Sequence, residues 1–459
     1  MGGPLSKAKL MDRADPGAAP RPARFGPAGP LAGLARVPGD KSISHRALMV
    51  ASMARGRSRI AGLCAGSDLH STAAALAAMG VGIAPEPAGW SVDGVGTGGL
   101  LQPPCALDMG NSGTSARLLM GLVASHRVTA AFTGDASLGR RPMDRVIAPL
   151  GRIGADIAAA PGGRLPLVVR GACPAVPRST RLGIASAQVK SALLLAGLNI
   201  PGITEVIEPA ATRDHSERML RLFGAEIEVD AAPGGRRIAL RGEAELSPRD
   251  VTIPGDPSAA AFLVVAALIV PGSDLRIHGV GINPMRAGLF DILLEMGADL
   301  TFSDLREQSG EPVADLAVRS SALRGVAVPP ALIPAMIDEF PAFFVAAAFA
   351  KGTSRAHGLA ELRVKESDRI TAMARGLAAI GVAVEECDDG LVIQGSGGAP
   401  LAGGAFIASA LDHRIAMSFA VAGLHCREPL TIDDMRPVDT SFPGFAATLA
   451  GLLPPDPRP

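Results

Sequence analysis

Apolar positions in this chain repeat one pattern five times: leucine, two variable residues, an apolar residue, glycine, alanine or valine, any residue, then an aliphatic. It reads Leu76-Met79-Gly80-Val81-Ile83, Leu150-Ile153-Gly154-Ala155-Ile157, Leu220-Phe223-Gly224-Ala225-Ile227, Leu293-Met296-Gly297-Ala298-Leu300 and Leu377-Ile380-Gly381-Val382-Val384. Apolar residues three apart share a helix face, a glycine just past the helix is free to turn left-handed, and alternate aliphatics begin a strand. Each copy therefore predicts an α-to-β corner.

The corner glycines are separated by 74, 70, 73 and 84 residues (80 to 154, 224, 297 and 381). Units of about 75 residues account for most of the chain. Phe445 to Leu453 and a strand near Leu34 to Val37 would complete a sixth. Six units in two domains give three apiece, an α/β fold. The spacing argues against a TIM barrel, whose units recur about every 30 residues. Pro-Gly-Asp occurs twice, at Pro38-Gly39-Asp40 and Pro254-Gly255-Asp256. Pro-Gly turns the chain and Asp can cap the next helix. If both mark crossings between domains, residues 39–255 form an inserted second domain, and 31–38 join 256–459 as a discontinuous first. Two adjacent crossings would make a hinge.

Composition narrows the setting. A length of 459 residues exceeds one ordinary core of about 100–250. Forty-four basic side chains against 44 acidic ones, 3% aromatic residues and no tyrosine disfavour a nucleic-acid binder. The longest charge-free apolar stretch, Pro257 to Ser273, is broken by proline and glycine and too short for a membrane span. Cys64, Cys105, Cys173, Cys387 and Cys426 are odd in number and lack zinc-ligand spacing, which suits buried thiols in a reducing cytoplasm. Residues 1–30, rich in Gly, Pro and Ala without an apolar h-region, are expected to be a flexible leader; a transit peptide is the less favoured alternative.

Candidate chemistry gathers at helix starts. Lys41, Ser42 and Arg46 open an apolar helix, where the dipole favours an anion, although a basic first turn is ordinarily solvated surface. Asn111 to Arg117 again runs from a turn into a helix, with Gly113 letting a ligand approach backbone N–H groups. Arg140 and Arg141 each offer a guanidinium for bidentate binding. Ser186-Ala187-Gln188 precedes an apolar helix, Ser191 to Leu198, and Ser186 could be only its cap. Asp338-Glu339 stands before the apolar helix Ala342 to Ala350, where Asp338 is either an N-cap or a catalytic carboxylate. In Glu361 to Arg369, Lys365 and Arg369 would share a helix face, ordinarily a solvated, salt-bridged one. Asp412-His413-Arg414 opens a further buried helix, with no spacing that suggests a metal site.

Together these motifs resemble the 5-enolpyruvylshikimate-3-phosphate synthase family. The resemblance runs through Pro38 to Arg46, Gly110 to Thr114, Gly134 to Leu138 with Arg141-Pro142-Met143, Ser186 to Ser191, Arg213 to Glu217, Pro254 to Ser258, Arg363 to Arg369 and Asp412 to Met417, covering nearly all of Val37 to Phe445 in order. It implies a two-domain inside-out α/β barrel of six βαβαββ-like repeats, three per domain, closing over substrates. It also implies enolpyruvyl transfer from phosphoenolpyruvate to the 5-hydroxyl of shikimate 3-phosphate, on the route to chorismate and the aromatic amino acids. By the same resemblance, Lys41 touches both substrates. Ser42, Arg46, Ser186, Ala187, Gln188, Asp338 and Lys365 hold shikimate 3-phosphate. Gly113, Arg141, Gln188, Arg369 and Arg414 hold phosphoenolpyruvate. Asp338 is the expected base, and Glu366 with Lys41 the expected proton donor to the methylene carbon. No metal or organic cofactor, nucleic acid or membrane is implied, and a cytoplasmic monomer is expected.

Six cations, Lys41, Arg46, Arg141, Lys365, Arg369 and Arg414, are expected to converge on one cleft while acids lie elsewhere, so that without substrates like charges hold it open. The rivals are transfer to UDP-N-acetylglucosamine, whose catalytic-loop Cys has no convincing counterpart here, and a non-catalytic anion-binding relative. Two departures stand out. No Lys precedes Ser441-Phe442-Pro443, and Ser186-Ala187-Gln188 resembles the class II branch, some of whose members tolerate glyphosate. Tolerant members can carry Ala where this chain keeps Gly113, which favours sensitivity here.

Overall fold

The computed structural model describes residues 19–454. All five corner glycines take positive φ, 94° at Gly80, 111° at Gly154, 95° at Gly224, 91° at Gly297 and 93° at Gly381, each between a helix and a strand. The unit they build is strand, helix, strand, helix and hairpin. Leu107–Asp108, helix Gly113–Ala124, Thr129–Thr133, helix Asp144–Arg152, Asp156–Ala160 and Arg164–Arg170 make one copy. Its short first strand runs parallel to Thr129–Thr133, which pairs antiparallel with Arg164–Arg170. Ser179–Arg181 begins the next copy with the same pairing order. In the third, Val251–Thr252 lies parallel to Arg55–Ala61, so the end of the segment closes on its beginning.

Sheets lie outside and apolar helices inside. Arg164–Arg170 alternates exposed and buried side chains, as a half-covered strand should. Pro257–Ile269 and Phe340–Phe349 bury every residue and have no polar face, as a helix enclosed on all sides requires. Phe340, Phe343 and Phe344 meet with ring centroids 5.6–5.9 Å apart. Burying each contributes roughly 2 kcal/mol. One hydrophobic cluster draws on residues between Ile43 and Ile253; the other joins Leu31 and Ala35 to residues from Ala259 to Leu452. The two Pro-Gly-Asp crossings lie side by side: Asp40 N–H donates to Pro254 O at 2.8 Å and Asp256 N–H to Pro38 O at 2.8 Å. Asp40 and Asp256 both cap the helices that follow.

Three expectations are corrected. The leader, expected to be flexible to residue 30, contributes a strand, Ala23–Phe25, pairing antiparallel with Leu430–Ile432; residues 1–18 lie outside the described residues. That strand, not the one near Leu34, completes the last unit. Ala32–Arg36 instead runs parallel to Asp274–Gly281, because Leu31 and Ala35 point into that unit's core while Leu34 faces out. Of the cysteines, Cys64 and Cys426 are buried, but Cys105 and Cys173 are exposed on loops; all five are free. Among the described residues no single helix is long and apolar enough to cross a membrane.

Candidate active site

Residues from both segments, 41–213 and 256–442, line a cavity of about 350 Å³. The first turns of six helices line it, beginning at Lys41, Gly113, Ala187, Pro257, Arg369 and His413. Each start exposes backbone N–H groups and the positive end of the helix dipole. All residues that the resemblance assigns to the substrates or the chemistry line this one cavity: Lys41, Ser42, Arg46, Gly113, Arg141, Ser186, Ala187, Gln188, Asp338, Lys365, Glu366, Arg369 and Arg414. Arg140, the alternative to Arg141, does not line it.

Local geometry decides several open readings. Ser186 does cap a helix, but that helix is Ala187–Gly197, so Gln188 sits in its first turn, four residues earlier than the apolar run suggested. Asp338 is no N-cap. The following helix begins at Phe340, and the Asp338 carboxylate faces Arg213 at 2.5 Å, Lys365 at 3.6 Å and Arg369 at 3.6 Å. Lys365 and Arg369 do not share a helix face. Ala360–Val364 is a 3-10 turn and the helix starts at Arg369, so the charge run is a bent loop turned into the cavity. Asp412 caps its helix through Arg414 N–H and also accepts from Arg369 Nε at 2.8 Å.

Acids are interleaved with the cations, contrary to the expectation that they lie elsewhere. Ten Lys and Arg side chains and five Asp and Glu side chains line the cavity. Lys41 pairs with Asp68 at 2.5 Å, and Arg369 with Glu366 at 2.5 Å. Arg213–Asp338 and Arg141–Glu366, the latter at 3.8 Å, join the two chain segments across the cleft. Like-charge repulsion therefore does not act across an uncompensated gap.

These neighbours set the protonation states. Burial disfavours the Asp338 carboxylate, but Lys365, Arg213, Arg414 and Arg286 hold its pKa well below the ordinary value. Glu366 is likewise buried and held well below by Arg369, Arg141, His413 and Lys365. Burial lowers Lys41, yet Asp68 more than offsets it and keeps the ammonium charged. Burial brings His413 down to about 4, so it is neutral near pH 7. Arg46 is brought to about 10, chiefly by burial, and already donates to Ser216, Ser191 and Ser42 O.

Sequence reasoning missed Asp68, Arg117, Arg145, Arg213 and Arg286, which also line the cavity. Arg213 lay within a quoted motif but was given no role; its contact with Asp338, 125 residues away, exists only in the fold. Arg286 is buried and bonded to Glu339 at 2.5 Å and Asp256 at 3.3 Å, and no local pattern marks it. Among the described residues no cluster of His, Cys, Asp and Glu could hold a metal ion.

The family model for EPSP synthase (3-phosphoshikimate 1-carboxyvinyltransferase) matches residues 26–449. The 3-phosphoshikimate 1-carboxyvinyltransferase of Sphingopyxis alaskensis is 63% identical over 437 residues, 94% of this chain and 98% of its own. That of Novosphingobium aromaticivorans is 60% identical over 440 residues, 95% of this chain and 100% of its own. Among solved structures, EPSP synthase from Acinetobacter baumannii superposes with a TM-score of 0.84 at 44% identity, covering 94% of this chain and 98% of its own. The enolpyruvyl transferase NikO from Streptomyces tendae, at 20% identity and a TM-score of 0.75, shares the fold over 94% of this chain and 98% of its own.

Proposed function

The chain belongs to the EPSP synthase family, and from that premise we propose how its cleft transfers the enolpyruvyl group of phosphoenolpyruvate to the 5-hydroxyl of shikimate 3-phosphate. The products are 5-enolpyruvylshikimate 3-phosphate and inorganic phosphate, a step towards chorismate and the aromatic amino acids. The observation that carries the site assignment is charge: ten cations, five acids and six helix starts around one cavity. The two substrates together bring about five to six negative charges, each having one carboxylate and one phosphate.

We assign shikimate 3-phosphate to Lys41, Ser42, Arg46, Ser186, Ala187, Gln188, Asp338 and Lys365. Phosphoenolpyruvate falls to Lys41, Gly113, Arg141, Gln188, Arg369 and Arg414. As substrate anions take over the cations, Asp338 loses the field that depresses it and becomes the base for the 5-hydroxyl proton. The oxygen attacks C2 of phosphoenolpyruvate while C3 gains a proton. Of the two expected donors, Glu366 and Lys41, we give this step to Lys41, which Asp68 holds protonated, and keep Glu366 as the acceptor in the next. Glu366 then takes a proton from the C3 methyl as phosphate leaves C2, and over the cycle the hydroxyl proton departs with the phosphate. Cationic side chains carry the charge stabilisation, and the scheme uses no metal or organic cofactor. On this reading the enzyme is a cytoplasmic monomer whose domains comprise 39–255 and 23–38 with 256–459, the first domain being extended by the Ala23–Phe25 strand.

Mixing purified protein with shikimate 3-phosphate and phosphoenolpyruvate should release phosphate, whereas UDP-N-acetylglucosamine as acceptor should release none; the reverse outcome would overturn the reading. Asp338→Ala should still bind phosphoenolpyruvate but lose about two to four orders of magnitude in turnover. Near-normal turnover would remove Asp338 from the role of base.

A further inference from the structure

Arg117 stands one turn into the Gly113–Ala124 helix, 9% exposed. Its surroundings are poor for a buried cation. Among the described residues no carboxylate makes an ion pair with it, and burial together with Arg145 and Arg141 lowers its pKa to about 10. Its Nη1 donates to Gln188 Oε1 at 2.9 Å and its Nη2 to Pro142 O at 3.2 Å. Gln188 Nε2 in turn donates to Thr114 Oγ1 at 3.2 Å.

A glutamine amide beside an anion has two opposite faces to offer. Its NH₂ attracts the anion and its carbonyl oxygen repels it. Arginine has donors only, so the atom facing Arg117 must be the oxygen. One amide hydrogen then goes to Thr114 and the other is left for the cavity. Gly113 leaves the space in which the guanidinium lies: a Cβ there would come 2.9 Å from Arg117 Nη1.

We propose that Arg117 is a positioning residue for the enolpyruvyl transfer: by holding Gln188 Oε1 it fixes the amide so that its NH₂ is presented to the substrate anion. The idea rests on the assignment of Gln188 to substrate made above. The guanidinium acts through Gln188, and its charge adds to the field without touching the reacting atoms.

The test is a double-mutant cycle on the full-length enzyme, measuring KM for each substrate, kcat and the thermal midpoint of Arg117→Met, Gln188→Ala and the pair. Arg117→Met should raise KM for phosphoenolpyruvate about tenfold, the worth of one hydrogen bond to a charged group, with a much smaller change in kcat. The double variant should be no worse than Gln188→Ala alone. Multiplying effects, or an unchanged KM in Arg117→Met, would overturn the proposal. An unchanged KM in Gln188→Ala would instead remove Gln188 from the substrate site, a distinct failure that takes this proposal with it. Should Arg117→Met not fold, Gln188→Glu decides: it keeps a partner for Arg117 but has no N–H to offer, so KM should rise while the thermal midpoint is kept. A wild-type KM in Gln188→Glu would overturn the role of the amide.

Discussion

His413 lines the cavity between Asp412 and Arg414 and is held neutral by burial, its pKa brought from 6.5 to about 4. His45, fully buried and donating to or accepting from Thr72, is also lowered well below 6.5, by burial, Lys41 and Arg46 in that order. A base whose folded pKa is depressed binds fewer protons folded than unfolded, so stability falls as pH drops from 6.5 towards 4. For His413 alone the loss approaches roughly 3 kcal/mol at the low end. The depressed carboxylates Asp338 and Glu366 lose their contribution only below their ordinary values of 3.8 and 4.5, so the window above is set by histidine. Denaturant midpoints taken between pH 6.5 and 4.5 should fall for the native enzyme and less steeply for His413→Gln; parallel slopes would rule the imidazole out. At this scale the sequence was legible wherever a motif opened a helix, as at Lys41, Gly113 and His413. It was silent on Arg117 and Arg213, whose partners lie 71 and 125 residues away.

The recurring corner fixes the fold more firmly than any single helix. Gly224 isolates its energetics: φ is 95°, and an added Cβ would meet nothing within 4 Å. Any cost of Gly224→Ala is therefore backbone strain. It should be about 1–2 kcal/mol, with Gly224→Asn recovering part because Asn tolerates the left-handed region. Urea titrations of the three proteins would settle it; an Ala variant as stable as wild type would mean the corner does not demand glycine. Five corners were readable because glycine, the apolar residue before it and the strand alternation after it are all local. The start at Ala187 was not, because polar Gln188 and Lys190 look like loop: Gln188 faces the cavity, while Lys190 is fully buried against Glu208 and Glu217. Nor was Ala23–Phe25, three residues too few to display an alternation.

For the whole molecule the question is what couples the two cores. Besides the paired crossings at residues 38–40 and 254–256, a buried polar group joins them near the hinge. Glu311 accepts from Asn283 Nδ2 at 2.9 Å and meets His215 Nδ1 at 2.7 Å, while Asn283 also reaches Asp214 at 2.7 Å. Glu311 and Asn283 come from the segment whose apolar residues build the cluster of Ala259 to Leu452, Asp214 and His215 from the segment that builds the cluster of Ile43 to Ile253. The ion pairs across the cleft line the cavity, whereas this group sits outside it. Overall neutrality, 44 against 44, hides both arrangements, since neither the cationic surplus of the cavity nor the acid buried at the hinge changes the sum. Glu311→Ala should strand the buried His215 Nδ1, whose partner is Glu311, costing about 1–3 kcal/mol, and loosen the two cores from one another. If substrates draw the two cores together, as the family resemblance implies, the two KM values should rise by a common factor while kcat at saturation changes less. Calorimetry should resolve two unfolding transitions in the variant and one in the native enzyme. A single transition at the native midpoint, or a rise in KM for one substrate alone, would mean that this group belongs to one domain's stability and does not hold the two together.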